Sequence, residues 1–278
     1  VNLRNIVVAT DESDAGRQAV RTGLDLAARA SARLTIMRVV SVQAVPLLGA
    51  VGADLGPGEL DGGGVALERL ERWLEADLQS APPGTRVELG IAFGVPSIEI
   101  CRFAEQRKAD LLVLGRKQRS PMARLLLGDT ADAVLRRSRV PCLFVEPGSG
   151  PIARLLVALD GSDRGMSVLA ACRGFAKAAG TAMRVVTVEE GDALHPPSLA
   201  SAVPLARSAR LQREVGNPGI AVRQGTIVSE VLAEVSASSS DVLAFGYHRG
   251  GPPGIIEGTS TARHLAHTAP VSVLAIPL

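Results

Sequence analysis

Aromatic side chains are scarce: Phe, Trp and Tyr make up 3% of the 278 residues. That excludes a single-strand nucleic-acid surface, which needs several rings for bases to stack on. An excess of one charge is lacking too. Thirty Lys and Arg stand against 28 Asp and Glu, a net charge of +2, whereas a dedicated nucleic-acid binder carries a large basic surplus. Cysteine is limited to Cys101, Cys142 and Cys172. The number is odd and no CxxC pair occurs, which argues against a disulfide framework and against a cysteine-rich zinc site. Each thiol is expected to be a small buried apolar group in a reducing cytoplasmic setting. No run of about 18 apolar residues occurs, so no spanning helix is expected. The stretch Val1 to Asn5 has no basic region followed by a long apolar core, so no secretory leader is expected either.

What is present is enough apolar material for packed cores: 46% hydrophobic against 21% charged. At roughly 100–200 residues per domain the length suggests two domains. The chain also repeats itself. Ile6 to Asp11 (IVVATD) matches Leu155 to Asp160 (LLVALD) at an offset of 149, and Asp110 to Gly115 (DLLVLG) matches Asp241 to Gly246 (DVLAFG) at 131. Gly94 to Glu99 matches Gly225 to Glu230, and Gly128 to Pro147 matches Gly258 to Pro277. The order is kept, and the extra residues of the first half are expected in a mobile Gly-rich loop within Gly49 to Gly64. Two copies of one domain, residues 1–148 and 151–278, are the economical reading.

In the first copy β-branched runs at Ile6–Thr10, Leu34–Val40, Val87–Ala92, Leu111–Leu114 and Leu143–Val145 alternate with helical patterns at Ala15–Ala30, Ala66–Gln79, Ser97–Lys108 and Thr130–Arg137. Leu67, Leu70, Leu74 and Leu78 share one face of the second helix. Strands alternating with helices imply right-handed crossovers and a parallel sheet covered on both faces. The expected fold class is α/β: two doubly wound, Rossmann-like domains of five parallel strands each, related by duplication. Ligands of such sheets bind beyond the carboxyl ends of the strands. Those ends are Asp11, Val39 and Gly115 in the first copy and Asp160, Val188 and Gly246 in the second.

Each copy then runs from a strand-ending Gly through a loop to a second Gly that opens a helix: Gly115 to Gly128-Asp129-Thr130, and Gly246 to Gly258-Thr259-Ser260-Thr261. Backbone N–H groups at glycines, a helix N-terminus and hydroxyls together suit phosphate. On VVATDES, DLLVLG and LLLGDTADAVLRRSRVPCLFV in the first copy, and LLVALDGS, DVLAFG and GTSTARHLAHTAPVSVLAIP in the second, the chain resembles the universal stress protein family in its tandem form. The resemblance covers nearly the whole chain.

It implies adenine-nucleotide binding in the stress response, by members whose loop reads Gly, two residues, Gly, nine residues, Gly, then Ser or Thr. In those members the first-strand Asp and the strand-two Val hold adenosine, and the glycines and hydroxyls hold phosphate. Carried over, the second copy offers Asp160, Val188, Gly246, Gly258, Thr259 and Ser260, and the first offers Asp11, Val39, Gly115, Gly128 and Thr130.

Both copies depart from the pattern. In the first, Gln118 replaces the middle Gly and Asp129 occupies the hydroxyl position; two like charges 4 Å apart repel by roughly 4 kcal/mol in a medium of effective dielectric 20. In the second, Arg249 replaces the middle Gly, the loop is one residue short, and Pro252 and Pro253 remove two N–H donors; Arg249 and His248 can clamp phosphate instead. The second copy is therefore the better candidate for ATP or a related adenine nucleotide, with Mg²⁺ on its phosphates.

No catalytic set stands out, so any ATP hydrolysis should be slow and the role is binding. The alternative is a tandem module that binds no nucleotide and works through contacts with other proteins. The family tends to pair domains through the last strand, here Cys142–Val145 and Val271–Ile276, so the copies are expected to pack on each other. A homodimer and an unknown protein partner are plausible, and neither nucleic acid nor membrane is expected. His264 and His267 read as solvent-facing or helix-capping, Arg136, Arg137 and Arg139 as offsets to a helix dipole, and Arg207, Arg210 and Arg213 as a solvated face.

Overall fold

A computed structural model describes residues 2–41, 62–116, 128–189, 209–214, 219–248 and 259–278, with Thr259 and Ser260 described by their backbone. The first half runs β1 (Asn5–Thr10), α1 (Asp14–Ala30), β2 (Arg33–Val40), α2 (Gly62–Gln79), β3 (Arg86–Phe93), α3 (Pro96–Gln106), β4 (Leu111–Gly115), α4 (Asp129–Arg137) and β5 (Cys142–Val145). The second runs β6 (Arg154–Ala158), α5 (Asp163–Ala179), β7 (Ala182–Glu189), β8 (Ile220–Gln224), α6 (Ile227–Ala237), β9 (Val242–Tyr247), α7 (Thr259–Thr268) and β10 (Ser272–Pro277), with a short helical segment at 209–214. Pro96 opens α3 as its first helical residue. One expectation is corrected: Gly62, Gly63 and Gly64 already belong to α2, so the loop before it ends earlier than the glycines suggest. The rest of that Gly-rich stretch lies outside the described residues.

The strands form one sheet in the order β3-β2-β1-β4-β5-β10-β9-β6-β7-β8. Every pairing within a half is parallel. The central one, β5 with β10, is antiparallel and sets Leu143 opposite Leu274. Each half is thus the two-fold image of the other, and the two apolar last strands cover each other's open edges. Alternation sends residues to two layers. Ile6 and Val8 of β1 join a core under α1, α2 and α5, and Val7 and Ala9 join one under α3, α4, α6 and α7. In α2, Leu70 and Leu74 are fully buried, with Leu78 packed beside them.

Asp110 and Asp241, which open the repeated motifs of β4 and β9, accept the N–H groups that start the neighbouring strand. Asp110 takes Arg4 and Asn5, both at 2.9 Å, and Asp241 takes Ala153 at 3.0 Å and Arg154 at 2.8 Å. The three cysteines are buried and free. Burial pushes the Cys142 and Cys172 thiols up to about 12 and Cys101 to about 11, so all three are protonated and unreactive near neutrality.

Side chains then lock the halves together. Arg116 follows β4, and its Nη1 donates to the carbonyls of Ala269 (2.9 Å) and Val271 (3.0 Å) in the other half. Its counterpart after the same offset of 131, Tyr247, donates its hydroxyl to the carbonyl of Ser138 at 2.9 Å in the first half. Each half thereby reaches across the two-fold to the chain that leaves the other half's last helix.

Candidate functional site

Both halves open a cleft at the carboxyl ends of their inner strands, where the fold class places ligands. The first-half cleft, about 330 Å³, is lined by Asp11, Val39, Gly115, Gly128, Asp129 and Thr130, among others. The second-half cleft, about 450 Å³, brings together Asp160, Val188, Gly246, His248 and Thr261, with Ile227, Val231 and Phe245 in its apolar wall. Of the sequence-predicted residues, Thr259 and Ser260 open α7, but their side chains lie outside the described residues. Gln118, Arg249, Pro252, Pro253 and Gly258 lie outside them altogether.

The strand-end aspartates have a local task. Asp160 Oδ1 accepts the Ser162 backbone N–H at 3.0 Å and its hydroxyl at 2.7 Å, while Ser162 Oγ accepts Gly165 N–H at 3.1 Å and caps α5. Asp11, Ser13 and Gly16 repeat the arrangement at α1. A Cβ on Gly165 would sit 2.6 Å from Asp160 Oδ1, and one on Gly16 would sit 2.4 Å from Thr10 Oγ1. Ser13, Gly16, Ser162 and Gly165 were not singled out as site residues. The signal that finds them is D-x-S-x-x-G, present in both halves at the offset of 149. This turn uses one carboxylate oxygen; among the described residues Oδ2 of Asp160 accepts no hydrogen bond.

Glu12 and Gly161 occupy the same turn position, with φ of 62° and 69°. The first half holds a non-glycine residue there by pairing its carboxylate with Arg38 of β2 and Arg69 of α2.

The strand-ending glycines are packing residues. A Cβ on Gly115 would lie 2.2 Å from the Ala15 carbonyl oxygen, whereas on Gly246 it would meet the Val168 and Leu278 side chains at 2.7 and 3.0 Å. Main chain yields less readily than a side-chain tip. Gly115→Ala should therefore cost roughly 1–3 kcal/mol, and Gly246→Ala less; urea unfolding of the two variants tests the order.

His267 departs from its sequence reading. It is half-buried, and its Nε2 lies 3.1 Å from Asp132 Oδ1 of the other half. Arg263 reaches the same carboxylate at 3.1 and 3.2 Å. Arg136, in the last turn of α4, pairs with it too. Burial alone would raise the Asp132 carboxyl, but the His267 bond and the Arg136 and Arg263 charges outweigh it and hold the carboxyl below the ordinary range. Arg139 lies 3.7 Å from Glu105, and Arg210, exposed as a solvated face requires, pairs with Asp163 at 2.7 Å. His264 is exposed.

A sequence model of the universal stress protein family matches residues 2–146 and again 151–277. The chain belongs to that family. Universal stress protein MJ0531 of Methanocaldococcus jannaschii is 31% identical over 145 residues, 51% of this chain and 82% of that protein. In fold, the chain is similar to a universal stress protein of Archaeoglobus fulgidus, with a TM-score of 0.73 and 17% identity over 100% of this chain and 99% of that one. A universal stress protein solved in complex with cAMP is 27% identical, covering 52% of this chain and 98% of its own, with a TM-score of 0.37. No helix among the described residues of this universal stress protein is long and apolar enough to cross a membrane.

Proposed function

We propose that the second-half cleft binds an adenine nucleotide, ATP with Mg²⁺ on its phosphates being the leading candidate, and that the role is ligand-dependent regulation rather than rapid turnover. The observation that carries this reading is the composition of that cleft. An apolar wall with Val188 suits a flat base, the Asp160 carboxylate suits a ribose or amino donor, and the Gly246 strand end, the Thr261 hydroxyl and two basic side chains suit phosphate. The first-half cleft is smaller and places Asp129 at the opening turn of α4. A carboxylate there opposes phosphate, so this cleft is the weaker nucleotide site. A nucleotide-ordered surface beside the second cleft would then be what a partner protein reads.

Calorimetric titration with MgATP tests the proposal. One site per chain is expected, and at 100 times the dissociation constant the protein should gain about 2.7 kcal/mol. Asp160→Asn keeps an oxygen for Ser162 but removes the charge, and should weaken binding about tenfold, equivalent to about 1.4 kcal/mol. Equal affinity in the variant would place the ligand elsewhere. A chain that binds no adenine nucleotide at millimolar concentration would act through protein contacts alone.

A further inference from the structure

The two clefts differ at one position that no motif marks. After Asp160, the fourth residue is Arg164; after Asp11, the fourth residue is Ala15. Both line their clefts from the first turn of the following helix. Arg164 points its Nη1 at His248 Nε2, 3.4 Å away, just beyond the end of β9. A guanidinium has no acceptor, so Arg164 can only donate in this contact. At that length the contact is weak.

Arginines in this protein are usually given a carboxylate: Arg17 has Asp77, Arg38 has Glu12, Arg116 has Glu146, Arg184 has Glu234, Arg210 has Asp163 and Arg263 has Asp132. Among the described residues Arg164 has none, and its neighbour Asp163 is held by Arg210. An exposed arginine at the first turn of a helix also adds its charge to the positive end of the helix dipole, an arrangement that is unfavourable without an anion. The structure therefore gathers the Arg164 guanidinium, the α5 N-terminus and His248 at one mouth of the cleft, with no protein anion to satisfy the guanidinium.

We propose that Arg164 sets the ligand class of the second cleft, making it selective for phosphorylated over unphosphorylated adenine compounds by bonding a phosphate between itself and His248. This rests on the nucleotide reading of the same cleft and deepens it. In the first cleft Ala15 supplies no such donor.

The test is calorimetric titration of the full chain and of Arg164→Ala and Arg164→Lys with ATP, AMP and adenosine. The wild type is expected to bind ATP and AMP at least tenfold more tightly than adenosine. Arg164→Ala should lose that ratio while its adenosine affinity stays within about twofold, and Arg164→Lys should recover part of it. Raising the salt should weaken ATP binding more in the wild type than in Arg164→Ala. An equal loss for ATP and adenosine would make Arg164 a support of cleft shape, and an unchanged ratio would place phosphate elsewhere; either overturns the proposal. If adenosine binds but ATP binds no more tightly, the selectivity claim alone falls. If none of the three binds the wild type, the nucleotide reading falls and takes this inference with it.

Discussion

Replacing Arg116 by Met should destabilise the paired halves by about 3–5 kcal/mol, the usual cost of stripping one member from a buried ion pair. Only 3% of the Arg116 side chain is exposed. It makes a 2.8 Å ion pair with Glu146 and also donates to the carbonyls of Ala269, Val271 and, at 3.3 Å, His267. A thioether replaces none of these bonds, so three carbonyls and a carboxylate lose their donor together. Burial already raises the Glu146 carboxyl, and Arg116 opposes that rise. Without Arg116 the carboxyl should climb further and take up a proton closer to neutrality.

The double variant Arg116→Met with Glu146→Leu removes both charges and should recover much of the loss, since a buried pair exchanged for apolar groups is often near neutral. Urea unfolding of the two single variants and the double variant measures the coupling. Additive effects would show that Arg116 and Glu146 act independently, and the account of the junction would fail.

The contrast between Arg116 and the strand-end residues explains what was legible in the sequence. Asp11, Val39, Gly115, Asp160, Val188 and Gly246 all line a cleft because each lies at or just beyond the carboxyl end of a strand, and a strand is a local pattern of β-branched residues. The duplication then showed the same ends twice. Pairing of β5 with β10 was legible for a related reason, as two short apolar strands that would otherwise be open edges.

Arg116, Tyr247, Asp132 and His267 were not legible, because their partners lie more than 100 residues away in the other half and only the two-fold arrangement brings them together. His267 therefore resembled a surface histidine. Arg164 was missed for a different reason. Its position reads as one more charged residue on an amphipathic helix, and it becomes a cleft residue only when β9 ends beside α5. Gly115 was recognised by type but with another physics in view: the space it leaves is filled by the Ala15 carbonyl.

Asp132→Ala should cost about 3 kcal/mol at pH 7, the low end for a broken buried pair because Arg136 and Arg263 keep about half of their side-chain exposure and can turn to water. The pH dependence carries a sign that isolates the cause. The folded state holds the Asp132 carboxyl below its ordinary value, which is about 3.9 in the unfolded chain. A depressed acid stabilises the fold above the unfolded value, and that contribution is lost as the pH falls through the folded one. The gap between wild type and Asp132→Ala should thus be full above about pH 5 and close as the pH drops below about 4.

Glu146 works in the opposite sense, since a raised carboxyl favours the fold on acidification. It is present in both proteins, so it cancels in the difference. Paired urea titrations between pH 7 and pH 3 measure the gap. A gap that stays constant to pH 3 would mean that Asp132 acts by packing alone and that its bonds to Arg263 and His267 do not hold the last helices of the two halves together.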